Sequence, residues 1–290
     1  MRTSLLALTL ATCSILPCIP AQQTLTVPRA DGHSTRLMLY AAVGAGSECA
    51  PLAVISHGAG GSEDGYRYLA QSMANLGYTT VVMGHRESGA AALRTDMLRY
   101  GLMPGVRDLV ADVNAEQARL LDVGAALKWA DSRCHAPFRV LLGHSMGAET
   151  VMLEAGAKNM IGVLSPPAGG DRFDAYVALS PEGSGVVFPE HAWSGIRKPM
   201  LILTGTRDQS LQGGPKARQE PWHDLPGGVA HCQWMGVLDG ATHMNFAGSG
   251  PGHAQVEPIV SQTVEEFLDG VRHGACTLPS PTDGMKLRAK

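Results

Sequence analysis

Short runs of apolar residues alternate along the chain with longer segments in which apolar residues recur at helical spacing. The runs have the aliphatic and β-branched character of strands and lie at residues 24–27, 36–40, 52–56, 79–83, 140–142, 176–179, 200–204 and 233–238. The first two, separated by Asp31 and Gly32, predict an antiparallel hairpin at one edge of a sheet. Because the other runs alternate with helical segments, the pattern predicts a doubly wound, mostly parallel α/β sheet of about eight strands flanked by helices.

Helical periodicity is present at residues 66–76, 108–131, 148–157 and 258–271. Two further segments lack it. We expect residues 84–105 to form a loop over the functional site and residues 209–230 to make an excursion on the surface. The connection between the strands at 176–179 and 200–204 is short, which predicts that there is no large cap domain and that the site is open and shallow.

The N-terminal residues have the pattern of a secretory signal. Arg2 precedes an apolar core at residues 5–10, and small residues follow up to Ala21. We predict cleavage after Ala21, which leaves residues 22–290 as a single domain in a secreted or periplasmic protein. An ordinary N-terminal strand or helix, or lipid attachment at Cys13 or Cys18, are the alternatives. No later apolar run reaches about 18 residues, so no membrane span is expected.

Composition narrows the class of protein. Hydrophobic residues make up 44% of the chain and charged residues 17%, as in a folded globular protein. The net charge of -3 gives no electrostatic reason to expect nucleic-acid binding. Aromatic residues account for 5%, which offers no stacking platform for a polymer or a carbohydrate. We expect a substrate that is a small molecule, and we expect the protein to be a monomer.

The segment Gly143-His144-Ser145-Met146-Gly147 joins the strand at 140–142 to the following helix. Glycine two residues before and two residues after a serine fits a strand-to-helix turn that is too tight for side chains at those positions. This is the G-x-S-x-G nucleophile elbow. A glycine-rich chain produces such a pattern readily by chance, so its position between a strand and a helix is what gives it weight.

Three other predicted strands also end in chemically suggestive residues. Residues 57–61, His-Gly-Ala-Gly-Gly, follow the strand at 52–56, while Asp208 and His243 come just after the strands at 200–204 and 233–238. In an open parallel sheet the reactive groups collect at the carboxyl ends of the strands. The sequence therefore predicts that these residues meet Ser145 at one edge of the sheet.

The motifs at these strand ends resemble those of the α/β-hydrolase superfamily. Residues 54–61, 143–147 and 201–208 are similar to the corresponding motifs of dienelactone-hydrolase-like and platelet-activating-factor-acetylhydrolase-like esterases. Ala148 stands where many relatives have a second glycine, a departure that does not affect the chemistry. The resemblance covers nearly all of the chain after the leader and implies a serine hydrolase.

The chemistry of acyl transfer assigns a role to each residue. Ser145 is a weak nucleophile by itself and needs a base, for which His243 is the candidate. Asp208 would fix the tautomer of His243 and stabilise its positive charge. The negative oxygen of the tetrahedral intermediate needs backbone N–H donors. Met146 and Ala59 are predicted to supply them.

Alternatives remain open at several of these positions. Ser145 could be an ordinary turn serine, and Gly60 could replace Ala59 as a donor. The base could instead be one of three other histidines, which are His223, His231 and His253. The acid could be Glu182 or Asp239.

His57 and His144 are expected to brace the site by hydrogen bonding or packing. Neither has the spacing with Cys, Asp or Glu that a zinc site would show, so no metal and no cofactor are implied.

Four cysteines remain after the predicted leader, an even number that suggests two disulfides with three possible pairings. In the sheet that the resemblance implies, the strands that follow Cys49 and Cys134 are neighbours, and Cys276 follows a helix that returns towards Cys232. We therefore predict the pairs Cys49–Cys134 and Cys232–Cys276, both on the side opposite the active site.

The sequence as a whole predicts an exported serine hydrolase that cleaves carboxylic esters through an acyl-enzyme on Ser145. An amide hydrolase or an acyltransferase could use the same three residues. A binding protein that kept the fold and lost the chemistry is the alternative outside enzymes.

Overall fold

A nine-stranded mixed sheet runs through the computed structural model, which describes residues 22–44, 49–166, 170, 172–228, 232–279 and 282–290. The predicted leader, with Cys13 and Cys18, and the alternative base His231 lie outside these residues. The strands are β1 (Gln22–Pro28), β2 (Ser34–Tyr40), β3 (Leu52–Ser56), β4 (Thr79–Gly84), β5 (Arg139–His144), β6 (Ala175–Leu179), β7 (Met200–Gly205), β8 (Gln233–Leu238) and β9 (Met285–Ala289).

The strand order is β1-β2-β4-β3-β5-β6-β7-β8-β9. Strands β3 to β8 are parallel, and β1, β2 and β9 are antiparallel additions at the two edges. The eight predicted strands are all present. Strand β9 was not predicted, because it is an edge strand in which four of the five residues are exposed or half-exposed and its apolar signal is weak.

The helices cover both faces of the sheet, as a doubly wound fold requires. They are α1 (Arg67–Asn75), α2 (Ala90–Tyr100), α3 (Leu102–Ala111), α4 (Val113–Asp131), α5 (Met146–Glu154), α6 (Glu220–Asp224) and α7 (His253–Arg272). One apolar core joins one face of the sheet to α3, α4 and α5. A second core joins the other face to α1 and α7.

The expectation of a loop at residues 84–105 is wrong. A short 3-10 turn is followed by the helices α2 and α3, which pack against each other. A Cβ atom at Gly105 would lie 2.6 Å from the backbone of Asp96 and Met97, so the absence of a side chain there allows the two helices to approach closely. Because α2 buries none of its residues fully, its sequence lacks the apolar stripe that would have revealed it.

Two helix boundaries also differ from the prediction. The helix expected at 108–131 is interrupted at Asp112, where the backbone is extended. The side chain of Asp112 caps α4 by accepting a hydrogen bond from the N–H of Asn114 at 2.8 Å. Helix α7 begins at His253, before Pro258, where the prediction had started it. The apolar periodicity predicted the middle of each helix correctly but not the residue at which the helix begins.

The four cysteines form the two pairs that the resemblance had suggested. The Cα atoms of Cys49 and Cys134 are 5.7 Å apart, and those of Cys232 and Cys276 are 5.4 Å apart. Each pair includes a residue just before a parallel strand, so both lie at the amino ends of the strands. Among the residues that the structure describes, no helix is long and apolar enough to cross a membrane.

Candidate active site

Ser145 occupies a strained turn between β5 and α5. Its φ of 56° and ψ of -123° are unusual for a residue with a side chain. A Cβ atom at Gly143 would lie 2.0 Å from the carbonyl oxygen of Gly147, and one at Gly147 would lie 2.0 Å from that of Ser56. Only glycine fits at either position. Two glycines therefore make the turn tight enough to place Ser145 at its tip.

Ser145, His243 and Asp208 form a continuous line of hydrogen-bonding groups. The Oγ atom of Ser145 is 3.0 Å from Nε2 of His243, and Nδ1 of His243 is 3.1 Å from Oδ1 of Asp208. A proton on Nδ1 is held by the carboxylate, which leaves Nε2 free to accept the hydroxyl proton of Ser145. The side chain of His243 is 29% exposed, whereas that of Asp208 is 0% exposed.

Asp208 is surrounded by groups that favour its ionised form. Its Oδ2 accepts hydrogen bonds from Ser180 Oγ at 2.5 Å and from Thr204 Oγ1 at 2.7 Å. Nε of Arg218 lies 2.9 Å from Oδ1. Burial by itself would raise the pKa of Asp208, but the hydrogen bond from His243, the charge of Arg218 and the bond from Ser180 lower that pKa to about 2.

The alternative acids occupy other positions. Glu182 forms an ion pair with Arg218 at 2.7 Å and accepts hydrogen bonds from the N–H of Leu211 at 3.2 Å. Asp239 is exposed to solvent. Among the alternative bases, His253 pairs with Glu257 at 2.6 Å within α7, and His223 is exposed on α6. The geometry brings His243 and Asp208, rather than these residues, to Ser145.

Two backbone N–H groups near Ser145 have no acceptor within the part of the chain that the structure describes. Among the described residues, neither Ala59 nor Met146 donates its backbone N–H to an acceptor, and Met146 is the first residue of α5. The N–H of Gly60 donates to the carbonyl of Ser88 at 2.8 Å. The N–H of Gly60 is therefore committed elsewhere, whereas that of Ala59 has no acceptor among the described residues.

Tyr66 and His144 link the segment at residues 57–61 to His243. The hydroxyl of Tyr66 accepts from the N–H of Gly58 at 3.0 Å and lies 2.8 Å from Nδ1 of His144. Nε2 of His144 donates to the carbonyl of His243 at 3.0 Å. Burial, followed by the proximity of His243, lowers the pKa of His144 well below its usual value, so this imidazole is neutral. As expected, it braces the site.

His57 has a comparable bracing role within the segment at residues 57–61. Its Nδ1 donates to the carbonyl of Gly58 at 2.7 Å, and its Nε2 accepts from the N–H of His85 at 3.0 Å. Arg119 donates to the carbonyl of His57 at 2.7 Å. Burial above all, with His85 and Arg119 nearby, holds the pKa of His57 well below its usual value.

Ser145 opens into a cavity of about 650 Å³, a volume typical of sites for small ligands. The site is deeper than the shallow one expected from the sequence, because α2 and α3 build one wall of the cavity with Leu93, Met103, Val106 and Val110. Residues 209–211 and Met244 line another part. The cavity also reaches three buried ionisable residues, Glu149, Glu182 and Arg218.

Sequence reasoning missed two residues that contact the three central groups. Ser180 directly follows β6, and its Oγ lies 2.7 Å from Nδ1 of His243 in addition to its bond to Asp208. Its place at a strand end was the signal that could have identified it. Arg218 lies in the segment predicted to be a surface excursion, yet its side chain is 2% exposed, so that expectation is wrong for this residue. Nothing in the local sequence indicates its burial.

A scan against models of protein families finds no match, and a search among curated proteins finds none either. Solved structures do resemble this chain. The protein Est1E from Butyrivibrio proteoclasticus has a TM-score of 0.58 at 16% identity, over 86% of this chain and 99% of that one. An esterase from Pyrococcus furiosus has a TM-score of 0.57 at 17% identity, over 86% of this chain and 92% of that one.

A protein from Klebsiella pneumoniae assigned as a dienelactone hydrolase has a TM-score of 0.62 at 15% identity, over 86% of this chain and 98% of that one. At such identities the likeness shows the fold alone. The chain thus has the α/β-hydrolase fold, which confirms the fold that its motifs had suggested.

Proposed function

We propose that this protein is an exported serine hydrolase that cleaves carboxylic esters through an acyl-enzyme on Ser145. The observation that carries the proposal is the unbroken line from Ser145 through His243 to Asp208, with both contacts near 3 Å. The fold shared with esterases supports it.

In the first half of the reaction His243 removes the proton of Ser145 as Oγ attacks the acyl carbon. The carbonyl oxygen becomes negative and accepts hydrogen bonds from the N–H groups of Met146 and Ala59, each worth about 3–4 kcal/mol in such sites. His243, now an imidazolium stabilised by Asp208, gives its proton to the departing alcohol.

In the second half water replaces the alcohol. His243 takes a proton from the water as its oxygen attacks the acyl carbon on Ser145. The tetrahedral intermediate then collapses as His243 gives this proton to Oγ of Ser145, which restores the serine and releases the acid. Ser180, which contacts both His243 and Asp208, would keep the imidazole aligned through both halves.

Export is the second part of the proposal. It rests on the N-terminal pattern of residues 1–21 and on the two cysteine pairs, since disulfides persist in oxidising compartments. A carboxylic ester of small size is the substrate that the cavity volume supports.

The substitution Ser145→Ala tests the chemistry. It removes the nucleophile, so we expect kcat for a p-nitrophenyl ester to fall by about a factor of 10⁶, as in other serine hydrolases. A fluorophosphonate should label the native protein but not the variant.

The variant Ser210→Ala is the matched control, because Ser210 lines the same cavity and lies outside the line of the three catalytic groups. It should keep both turnover and labelling. Undiminished turnover in a folded Ser145→Ala protein would disprove the proposal, and a native protein with neither labelling nor ester turnover would favour a binding protein.

A further inference from the structure

A fully buried arginine, Arg119 of α4, lies outside the line of the three catalytic groups. It is 0% exposed, and its Nη1 donates to the carbonyl of His57 at 2.7 Å and to Oγ of Ser56 at 3.2 Å. Among the described residues, neither its Nε nor its Nη2 has a hydrogen-bond partner. A buried guanidinium group that is only partly paired stabilises a fold poorly, so stability alone does not account for this residue.

The carbonyl that Arg119 binds belongs to the first peptide group of the segment at residues 57–61. The N–H of the same peptide group, that of Gly58, donates to the hydroxyl of Tyr66 at 3.0 Å. This peptide group is therefore held on both sides. The bond from Arg119 is the one with a charged donor, which makes it the stronger of the two.

The next peptide group contains the N–H of Ala59. Its carbonyl, on Gly58, accepts from Nδ1 of His57 at 2.7 Å and from the N–H of Gly61 at 3.0 Å. His57 is fully buried, whereas Ala59 is half-buried and lines the cavity. Because the C=O and N–H of a trans peptide group point in opposite directions, a carbonyl directed to His57 leaves the N–H of Ala59 directed away from it. That N–H is thus left for a ligand in the cavity.

Only Gly58 separates the carbonyl held by Arg119 from the peptide group of Ala59. A Cβ atom at Gly58 would lie 3.2 Å from Cβ of Ser145, so the absence of a side chain lets the segment pass close to the nucleophile. Glycine also has more conformational freedom than any other residue. The bond from Arg119 limits this freedom at the point where the direction of the next N–H is set.

We propose that Arg119 is a positioning residue, whose bond to the carbonyl of His57 fixes the segment at residues 57–61 so that the N–H of Ala59 meets the negative oxygen of the tetrahedral intermediate. The inference rests on the proposed ester hydrolysis and on the role of Ala59 in it. Among the residues that the structure describes, Arg119 does not line the cavity. The negative oxygen forms only in the transition state and the intermediate, so the loss of Arg119 should lower kcat and change KM little.

The surroundings of Arg119 allow it to be replaced. Burial raises the pKa of Glu116 and of Glu149 above their usual values, so their protonated forms are favoured. Asp122 keeps Arg29 at 3.2 Å. Removing a buried charge is strongly destabilising when it strands the charge of a partner. We therefore expect Arg119→Met to fold.

The variants Arg119→Met and Arg119→Lys are compared with the native protein on p-nitrophenyl butyrate. Arg119→Met removes both the donor and the charge, so kcat should fall by about tenfold or more, since complete loss of one such N–H donor costs about 10²–10³. KM should stay within about threefold of native. An unchanged kcat in a folded Arg119→Met, or an effect on KM alone, would overturn the inference.

Arg119→Lys keeps a charged donor but lacks the planar fork that reaches both acceptors. Its kcat should lie between those of the native protein and Arg119→Met. Should Arg119→Met not fold, Arg119→Lys decides the question, and a native kcat in that variant would count against the inference.

A pair of ketones measures the stabilisation of the negative oxygen separately from cavity shape. When 1,1,1-trifluorohexan-2-one binds, Oγ of Ser145 bonds to the carbonyl carbon, its proton passes to His243, and the carbonyl oxygen becomes negative. The parent hexan-2-one occupies the cavity without this addition. In Arg119→Met the Ki of the trifluoro ketone should rise by the factor by which kcat falls, while that of hexan-2-one stays native. Equal rises for both ketones would indicate a general change of the cavity and contradict the inference.

Thr35→Val is the matched control. Thr35 is buried and donates to Asp122, whose Oδ2 lies 2.8 Å from Nδ1 of His85. Nε2 of His85 in turn lies 2.8 Å from Oγ of Ser56, the second acceptor of Arg119. The nearly isosteric variant thus removes one buried hydrogen bond from the same set without removing the bond that Arg119 makes. It should lower the Tm and leave kcat, KM and both Ki values native. A fall in kcat equal to that of Arg119→Met would overturn the assignment.

The amide signal of Ala59 separates this inference from the proposed function. It is observed in protein that carries ¹⁵N-labelled alanine and is assigned through Ala59→Gly. The signal should shift in Arg119→Met and keep its native position in Thr35→Val, and an unchanged signal in a folded Arg119→Met overturns the inference. If the native protein hydrolyses no ester, the proposed function fails, and this spectrum alone decides whether Arg119 fixes the segment.

Discussion

Asp208 keeps its charge at a position with no exposure to solvent. Two hydroxyl groups, one guanidinium group and one imidazole surround its carboxylate, and they outweigh the penalty of burial. The same contacts fix the direction of the carboxylate towards His243. At the scale of the residue, the acid of the proposed triad is therefore also a contributor to stability.

The pKa of Asp208, about 2 instead of 3.8, predicts an acid-sensitive term in the free energy of unfolding. The ionised form is favoured in the folded protein, so this term is fully present above about pH 4 and is lost as pH falls towards 2. It amounts to about 2 kcal/mol. In urea titrations between pH 5 and pH 2, Asp208→Asn should lose stability less steeply than the native protein.

Asp239→Asn provides the comparison, because Asp239 is an exposed aspartate just after β8. The free energy of unfolding of Asp239→Asn should equal that of the native protein at every pH. Parallel curves for the native protein and Asp208→Asn would show that the contacts of Asp208 contribute nothing to folding.

The pair α2 and α3 is the element that gives the site its shape. These helices stand between β4 and α4, and they supply the apolar wall of the cavity. Leu98 and Leu102 on their outer surface are 83% and 61% exposed, so the packing of the pair rests largely on the contact between the two helices and on α3 against α4. The range of acyl chains that the cavity accepts should therefore depend on side chains of this wall.

Val106→Trp fills part of the cavity from the side of α3. We expect kcat/KM for p-nitrophenyl hexanoate to fall by about tenfold or more, because misplacing a bound acyl chain by about 1 Å costs far more than that. The rate with the acetate should change by less than about threefold. Steady-state kinetics over a series of chain lengths measures the effect.

The matched control is Leu98→Trp, which adds a similar volume on the exposed side of α2. It should leave the whole series unchanged. An equal loss for acetate and hexanoate in Val106→Trp would show that α3 does not contact the acyl chain.

At the scale of the whole molecule, the residues of the site and the disulfides lie at opposite ends of the parallel strands. The site occupies the carboxyl ends of β3, β5, β7 and β8, and the cysteines lie at the amino ends of β3, β5 and β8. The pair Cys49–Cys134 closes a loop with a sequence separation of 85 residues and the pair Cys232–Cys276 one of 44. Both constrain the unfolded chain without contacting the site.

Replacing Cys49 and Cys134 together by serine should lower the free energy of unfolding by about 4 kcal/mol, within the range of 2–5 for such bridges. Activity at 25 °C should stay within about twofold of native, because the site keeps its contacts. Urea titration and ester turnover on the same preparation provide both values. The double variant of Cys232 and Cys276 should behave alike, and a loss of activity while the protein remains folded would contradict this separation.

The sequence by itself determined the parallel centre of the sheet, the elbow at Ser145 and the positions of Asp208 and His243. Each of these depends on a local pattern: an apolar run forms a strand, two glycines permit the turn, and a residue just past a strand lies at the carboxyl edge. The pairing of the cysteines followed from the strand order that the resemblance to the α/β hydrolases implied.

Only the tertiary structure decided the rest. Ser180 and Arg218 reach Asp208 from other segments, Glu149 meets Glu116 between two helices, and α2 and α3 convert the expected shallow site into a cavity. The exposed helix α2 and the edge strand β9 carry little apolar signal of their own. Contacts between distant segments leave no periodic trace in the sequence, because burial and charge pairing are fixed only when the chain has folded.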